Sequence, residues 1–323
     1  MKGLQKPDAR IAFLLVALGL MSASVHHRLC GLTVKAEGFE TMRLEHHNGV
    51  LSGVIMPPYR YRVLAPVAAE ALQALLSPFV GNGPEKKAQR LAIAYFLIVF
   101  GSLAIAYGLF FACLRQWFDP RAALVGCLFL AAVVPLSITG YFMDDDFITL
   151  VLYALGFWLF MTARDSLLPF VVFIGTFNRE QIAFLVVLWL AYHLANGTGG
   201  RRRTIAIALG CMLGFAVPYL SLRYLCGSAP TMYTISFHAQ ENLAHLGRIA
   251  GSWSVQVLAF AVLALLGLRR APAFLRYALA TLPVYILAFF LKGKMWELGK
   301  ALPMYLILIP LSLFALFPPA EKR

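Results

Sequence analysis

Charge is what this sequence has least of. Only 13% of its 323 residues are Asp, Glu, Lys or Arg, about half the share of an ordinary soluble domain, so a large solvated surface is excluded. Acids are the scarcer kind, with 15 Asp+Glu against 28 Lys+Arg and a net charge of +13. No CxxC, no HExxH and no His/Cys cluster of zinc spacing is present, which removes the usual zinc chemistries. The paired histidines His26/His27 and His46/His47 are weak metal candidates, because adjacent rings rarely hold one ion well. The five cysteines are scattered. Cys113, Cys127 and Cys211 lie in or beside apolar stretches and read as packing residues, whereas Cys30 and Cys226 could pair only if the fold joins them. Internal repeats are lacking too, and with them the inverted-repeat plan of many transporters. No linker sets off a second domain, so residues 1–323 read as one integral membrane domain.

What fills the space is apolar. Hydrophobic residues make up 60% of the chain and the mean hydropathy is +0.75. They come in long blocks rather than in a 3.6-residue stripe, the pattern of helices in lipid. The expected fold is all-α: a polytopic transmembrane bundle of about ten spans (range eight to eleven), taking roughly 20 apolar residues per crossing. The predicted spans are 11–24, 91–114, 121–139, 147–163, 167–177, 181–195, 204–224, 252–268, 274–291 and 301–318. The first could also be a signal peptide, with Lys2, Lys6 and Arg10 before an apolar run and Ser22-Ala23-Ser24 after it; we read it as a first helix.

Loop charge orients the bundle. One set of segments carries Lys2, Lys6, Arg10, Arg115, Arg121, Arg164, Arg201–Arg203, Arg269, Arg270, Arg276, Lys322 and Arg323, with few acids. By the positive-inside rule these are cytoplasmic, as are both termini. The basic balance therefore reflects topology, and no nucleic-acid partner is expected. The sequon-like Asn196-Gly197-Thr198 falls on this inner side and is discounted. The opposite side holds the long extracytoplasmic loop 25–90, with an amphipathic interfacial helix at 65–80, and a second loop at 225–251.

Four polar clusters lie at the mouths of spans on that outer side. Asp144-Asp145-Asp146 opens a helix; such carboxylates can cap it or complement its dipole, or act as a general base or hold a divalent cation. In Tyr59-Arg60-Tyr61-Arg62, alternation would bring both arginines to one face if the stretch is extended. Guanidinium forks fit phosphate, and the tyrosines can stack on sugar or anchor at headgroups. Asn178-Arg179-Glu180 separates two short apolar stretches; it is either an internal Arg–Glu pair or a phosphate and hydroxyl contact. In the segment from Lys292 to Lys300, Trp296 could stack on a sugar ring, Glu297 is a second candidate carboxylate, and Lys300 is a flanking cation.

Taken together, "YRYRVLAP", the acidic cluster, the "NRE" turn and "WELGK..LP" resemble the layout of bacterial multispanning glycosyltransferases of the GT-C superfamily. The resemblance implies transfer of a sugar from a polyprenyl-phosphate donor to an extracytoplasmic lipid, glycan or protein acceptor, in a bacterial inner membrane. It implies a base among Asp144, Asp145 and Asp146, a carrier phosphate held by Arg60, Arg62 and Arg179, and sugar contacts from Trp296 or Glu297. GT-C enzymes often take their base from the first outer loop, where Glu37, Glu40 and Glu45 stand in no matching motif. The rival readings are a transporter or flippase of a lipid-linked or anionic substrate, and a polysaccharide polymerase or ligase using a diphosphate-linked donor.

Overall fold

The computed structural model describes residues 8–319, apart from 34–35, 84–85, 140–141, 198–199, 228–229 and 232. Lys2, Lys6, Thr198, Lys322, Arg323 and the side chain of Glu37 lie outside the described residues. Among those described there are helices and no strands. In chain order they are α1 (Ala9–Thr33), α2 (Ala36–Leu51), α3 (Leu64–Val80), α4 (Lys87–Leu114), α5 (Pro120–Leu136), α6 (Asp144–Met161) and α7 (Leu168–Thr176). There follow α8 (Phe184–Asn196), α9 (Arg201–Cys226), α10 (Ile235–Ala244), α11 (Leu246–Gly267), α12 (Ala273–Lys292) and α13 (Leu302–Leu316).

Local chemistry sets several boundaries. Asp119 caps α5 by accepting from the backbone N–H groups of Arg121 and Ala122, and Pro120 occupies the first turn, where no N–H is missed. Three carboxylates fill the first turn of α6, where the helix dipole favours negative charge. Gly197 ends α8 at φ 59°, a left-handed conformation that costs glycine little.

A helix with no polar face lies at the centre. Every residue of α13 from Leu302 to Phe314 is buried, and α5, α6, α11 and α12 pack around it. A helix apolar all round has no face for water, so it takes the middle of the bundle. Close approach here depends on Gly267: a Cβ at that position would overlap the carbonyl oxygen of Leu311. The outer helices show the converse. On α9, Ile205, Leu209, Met212, Leu213, Val217 and Leu220 are all exposed, an apolar stripe wider than a water-facing surface tolerates.

Fewer stretches have the length of a full crossing than the ten expected. Each predicted stretch is helical, but among the described residues only α1, α4, α9, α12 and the Leu298–Leu316 segment are long and apolar enough to cross a membrane; a sixth is counted if the bent segments Leu246–Trp253 and Val257–Gly267 act as one. The others fall short for physical reasons. α5 has 17 residues, or about 25 Å at 1.5 Å per residue. α6 spends its first turn on three carboxylates, and the predicted spans 167–177 and 181–195 are two short helices on either side of a turn.

Candidate functional site

Three carboxylates in a row need three cations, and the fold supplies them from three elements. Arg43 of α2 donates to Asp144 Oδ2 at 2.8 Å. Arg62, just before α3, donates to Asp145 Oδ2 at 3.3 Å. Arg179, between α7 and α8, donates to Asp146 Oδ1 and lies 3.6 Å from Asp145 Oδ2. Asn178 fastens the turn to α6, donating to the Asp145 carbonyl at 2.8 Å and to Thr149 Oγ1 at 2.9 Å. The segment after α12 closes on the same point: a Cβ on Gly299 would come within 2.9 Å of Asp146 Oδ2. Only glycine lets that backbone approach the triplet.

These pairings are unequal. Asp144 and Asp146 keep 7% and 6% of their side-chain surface, whereas Asp145 keeps 15% and has the two longest contacts. Several buried polar atoms find no hydrogen-bond partner: Asp144 Oδ1, Asn178 Oδ1, Arg62 Nε and Arg179 Nε. A buried unsatisfied polar atom is costly, and each of these has capacity for a further donor or acceptor, from water or a ligand.

Two clefts meet at Asp144. One, of about 380 Å³, is lined by Arg43, Arg62, Asp144 and Asp145 and by His46, Tyr59, Tyr95 and Phe142, with Arg43 over the Tyr95 and Phe142 rings and Arg62 over the Tyr59 ring. Several of the rings form a continuous row. Phe142 stacks on His46 at 4.4 Å, His46 meets the edge of Tyr59 at 5.7 Å, and Tyr59 meets Tyr233 at 6.2 Å. The other cleft, of about 320 Å³, lies beyond the Arg43–Asp144 pair and is more apolar, with Phe39, Ala92, Phe96 and Val99 among its walls.

The other sequence candidates part company. Tyr59–Tyr61 is a turn of 3-10 helix, not an extended strand, so Arg60 and Arg62 diverge. The expected shared face does not form: Arg60 donates to the carbonyls of Ile55 and Cys226, at 3.0 Å each, and braces the loop. Tyr61 donates to the Gly227 carbonyl at 3.1 Å. Of the two readings of the Asn178–Glu180 turn, the Arg179–Glu180 pair does not form; Glu180 instead bonds Arg223 at 3.0 Å. Trp296 is buried, tilted against His245 at 5.1 Å and under Arg248 at 4.8 Å, so no ring face is left for a sugar. Lys300 pairs with Glu297. Burial raises the Glu297 carboxyl, but Lys300, Lys294 and Arg179 outweigh it and hold its pKa below the ordinary value. Cys30 lies 3.5 Å from His26 Nε2, Cys226 lies beside Arg60, and both are thiols.

The considered divalent cation also meets a different donor set. Among the described residues no three His, Cys, Asp or Glu side chains converge to hold a metal, and arginines stand where a cation on the triplet would bind.

No protein-family model, curated protein or solved structure matches this chain.

The site must therefore be read from its own chemistry. Sequence reading missed Arg43, Tyr95 and Phe142, and weighed His46 only as a metal candidate. Only the charge count could have pointed to Arg43, since Arg62 and Arg179 leave one carboxylate of the triplet without a cation.

Proposed function

We propose that the chain is a membrane-embedded glycosyltransferase, moving a sugar from a polyprenyl-phosphate donor to a hydroxyl acceptor at the extracytoplasmic face of a bacterial inner membrane. The observation that carries this reading is the composition of the first cleft, whose lining combines Arg and Asp side chains with aromatic rings. A sugar phosphate presents both matching chemistries: an anion for guanidinium forks and C–H faces for rings. The apolar second cleft and the exposed apolar stripe of α9 suit a lipid-tethered substrate and a lipid surround.

Roles follow from which contacts can be exchanged. The donor phosphate takes Arg62 and Arg179, whose contacts with Asp145 are the longest in the cluster, and the Arg62 Nε has no hydrogen-bond partner. Asp144 is the base: Oδ2 is fixed by Arg43, while Oδ1 is unpartnered at the junction of both clefts. It takes the proton from the acceptor hydroxyl, whose oxygen forms the new bond to the anomeric carbon. The phosphate leaves with the electron pair of the old bond, stabilised by the arginines. Asp146, held by Arg179 and pressed against Gly299, fixes the turn. His46, Tyr59 and Phe142 replace Trp296 as the rings for the sugar.

The test is transfer of radiolabelled sugar from a polyprenyl-phosphate donor in vesicles holding the purified protein. Asp144→Asn should lower transfer at least ~100-fold, the usual share of a general base. Unchanged transfer would remove Asp144 from the mechanism. Movement of intact donor across the vesicle wall without transfer would instead favour a flippase.

A further inference from the structure

Asp144 is the end of a line of contacts that runs away from the cleft to the surface. Its partner Arg43 lies over the Tyr95 ring at 4.3 Å. The Tyr95 hydroxyl is 3.1 Å from His47 Nδ1, and His47 Nε2 is 2.7 Å from Glu70 Oε1. The Glu70 side chain is 45% exposed, while that of His47 is fully buried. The line thus joins water on α3 to a buried carboxylate on α6 through α2 and α4.

Its hydrogens are assigned by the outermost member. A carboxylate only accepts, so His47 carries its proton on Nε2. Burial lowers the pKa of His47 even against Glu70, so the ring is neutral near pH 7. Nδ1 is then a lone pair, and Tyr95 must donate its O–H to it. That bond fixes the rotation of the phenol, and the phenol face supports the guanidinium by a cation–π contact. The rings of Phe39 and Phe142 support the same guanidinium at 5.0 and 5.6 Å.

We infer that Glu70, His47 and Tyr95 are positioning residues that hold Arg43 on Asp144 and so set the proton affinity of that carboxylate. None of the three touches the first cleft's phosphate-binding arginines, Arg62 and Arg179, through any hydrogen bond or ring contact among the described residues. Loosening Tyr95 lets the cation drift from Asp144, and a carboxylate that loses its cation binds a proton more tightly. The inference takes its interest from Asp144 as the base proposed above, yet proton affinity can be read with no sugar donor present.

The experiment is infrared titration of the full chain in lipid nanodiscs. The Asp144 carboxyl band is identified as the one lost in Asp144→Asn. Tyr95→Leu removes ring and hydroxyl, and should raise the protonation midpoint by about one pH unit, a tenfold gain in proton affinity. His47→Gln should raise it about threefold and Glu70→Gln by less, in the order of distance along the line. The other groups facing Asp144 are Arg43, Asp145 and Cys30, and those facing His47 are Lys87 and Arg43; all stay unchanged in these variants. If Tyr95→Leu does not fold, Tyr95→Phe, which keeps the ring and loses the hydroxyl, should still shift the midpoint about threefold. Midpoints equal to wild type in the folded Tyr95 and His47 variants, even with lowered thermal stability, would mean a purely structural role and overturn the inference. Loss or retention of sugar transfer tests Asp144 as base separately, and leaves the midpoint result standing.

Discussion

Helix α6 has a buried aspartate near each end, and the two ends are built on opposite principles. Past its last turn, Asp165 accepts from Arg203 at 2.5 Å, from His193 Nε2 at 3.0 Å and from Trp189 Nε1 at 3.3 Å. Both carboxylate oxygens are engaged. At the first turn, about 25 Å away along the helix, Asp144, Asp145 and Asp146 share three arginines, leave four buried polar atoms unsatisfied and face two clefts. Identical residue types thus serve as a fastener at one end and form an incompletely satisfied array at the other. What separates them is satisfaction of the polar atoms, not burial or charge.

Exchanging the two by mutation should separate function from stability. The largest effect expected is on transfer: Asp144→Asn lowers it at least ~100-fold, and it also lowers the thermal unfolding midpoint, because the amide can still accept from Arg43 but leaves that buried guanidinium without its counter-charge. Asp165→Asn should touch stability alone. It weakens charge-assisted bonds to a half-exposed Arg203 and a buried Trp189, costing about 2 kcal/mol, while transfer per folded molecule stays within about twofold of wild type. Thermal unfolding and transfer measured on the same preparations check both. A transfer loss in Asp165→Asn as large as that in Asp144→Asn would dissolve the distinction between the ends.

Within the array, geometry rather than charge should matter at Arg179. Lysine keeps the charge but cannot donate to Asp146 and a phosphate at once with a planar fork. Arg179→Lys is expected to weaken donor binding about tenfold, read as a rise in KM for the polyprenyl-phosphate donor with kcat little changed. A drop in kcat alone would place Arg179 on the reacting atoms rather than on the bound phosphate.

How much of this could be read from the sequence depends on the range of the interaction. Helices were legible because apolar blocks are local, and α13 announces its central place by being apolar all round. The number of crossings was not legible, because hydropathy alone does not tell a helix buried by its neighbours from one that meets lipid: α13 and α9 are both apolar, yet they occupy opposite environments. In the site, Asp144–Asp146, Arg62, Asn178 and Arg179 are found together as expected. Arg43 escaped because its partner lies 101 residues away. Arg60 and Tyr61 misled because alternation suggests a strand, whereas Pro57-Pro58 delivers the chain into a tight turn. Glu180 misled because the neighbour in sequence is not the neighbour in space.

Smaller effects probe the rim of the array. Lys300 and Lys294 hold the Glu297 carboxyl below its ordinary pKa of 4.5, overcoming its burial. A carboxylate depressed in the folded state adds stability that is fully present above that ordinary value and is lost as pH falls through the folded one. Wild type should therefore lose thermal stability more steeply below about pH 4.5 than Glu297→Gln, which has no proton to take up. Parallel acid limbs for the two proteins would show that the Glu297–Lys300 pair contributes nothing to the fold.

The smallest effect is expected where sequence reading placed a sugar contact. Trp296 has its ring faces taken by His245, Arg248 and, at 5.8 Å, Lys294, and it is 6% exposed. Phenylalanine keeps an aromatic face for those cations and leaves a modest void, so Trp296→Phe should cost about 1 kcal/mol of stability and less than twofold in KM. Tyr59→Leu removes a ring of the first cleft, one that also carries Arg62 at 4.9 Å, and should raise KM about tenfold, a common size for one stacking contact. The pair of measurements decides which rings meet the sugar. If Trp296→Phe proves the more damaging in KM, the row from Phe142 to Tyr233 is a packing feature, and the sugar lies instead against the segment that follows α12.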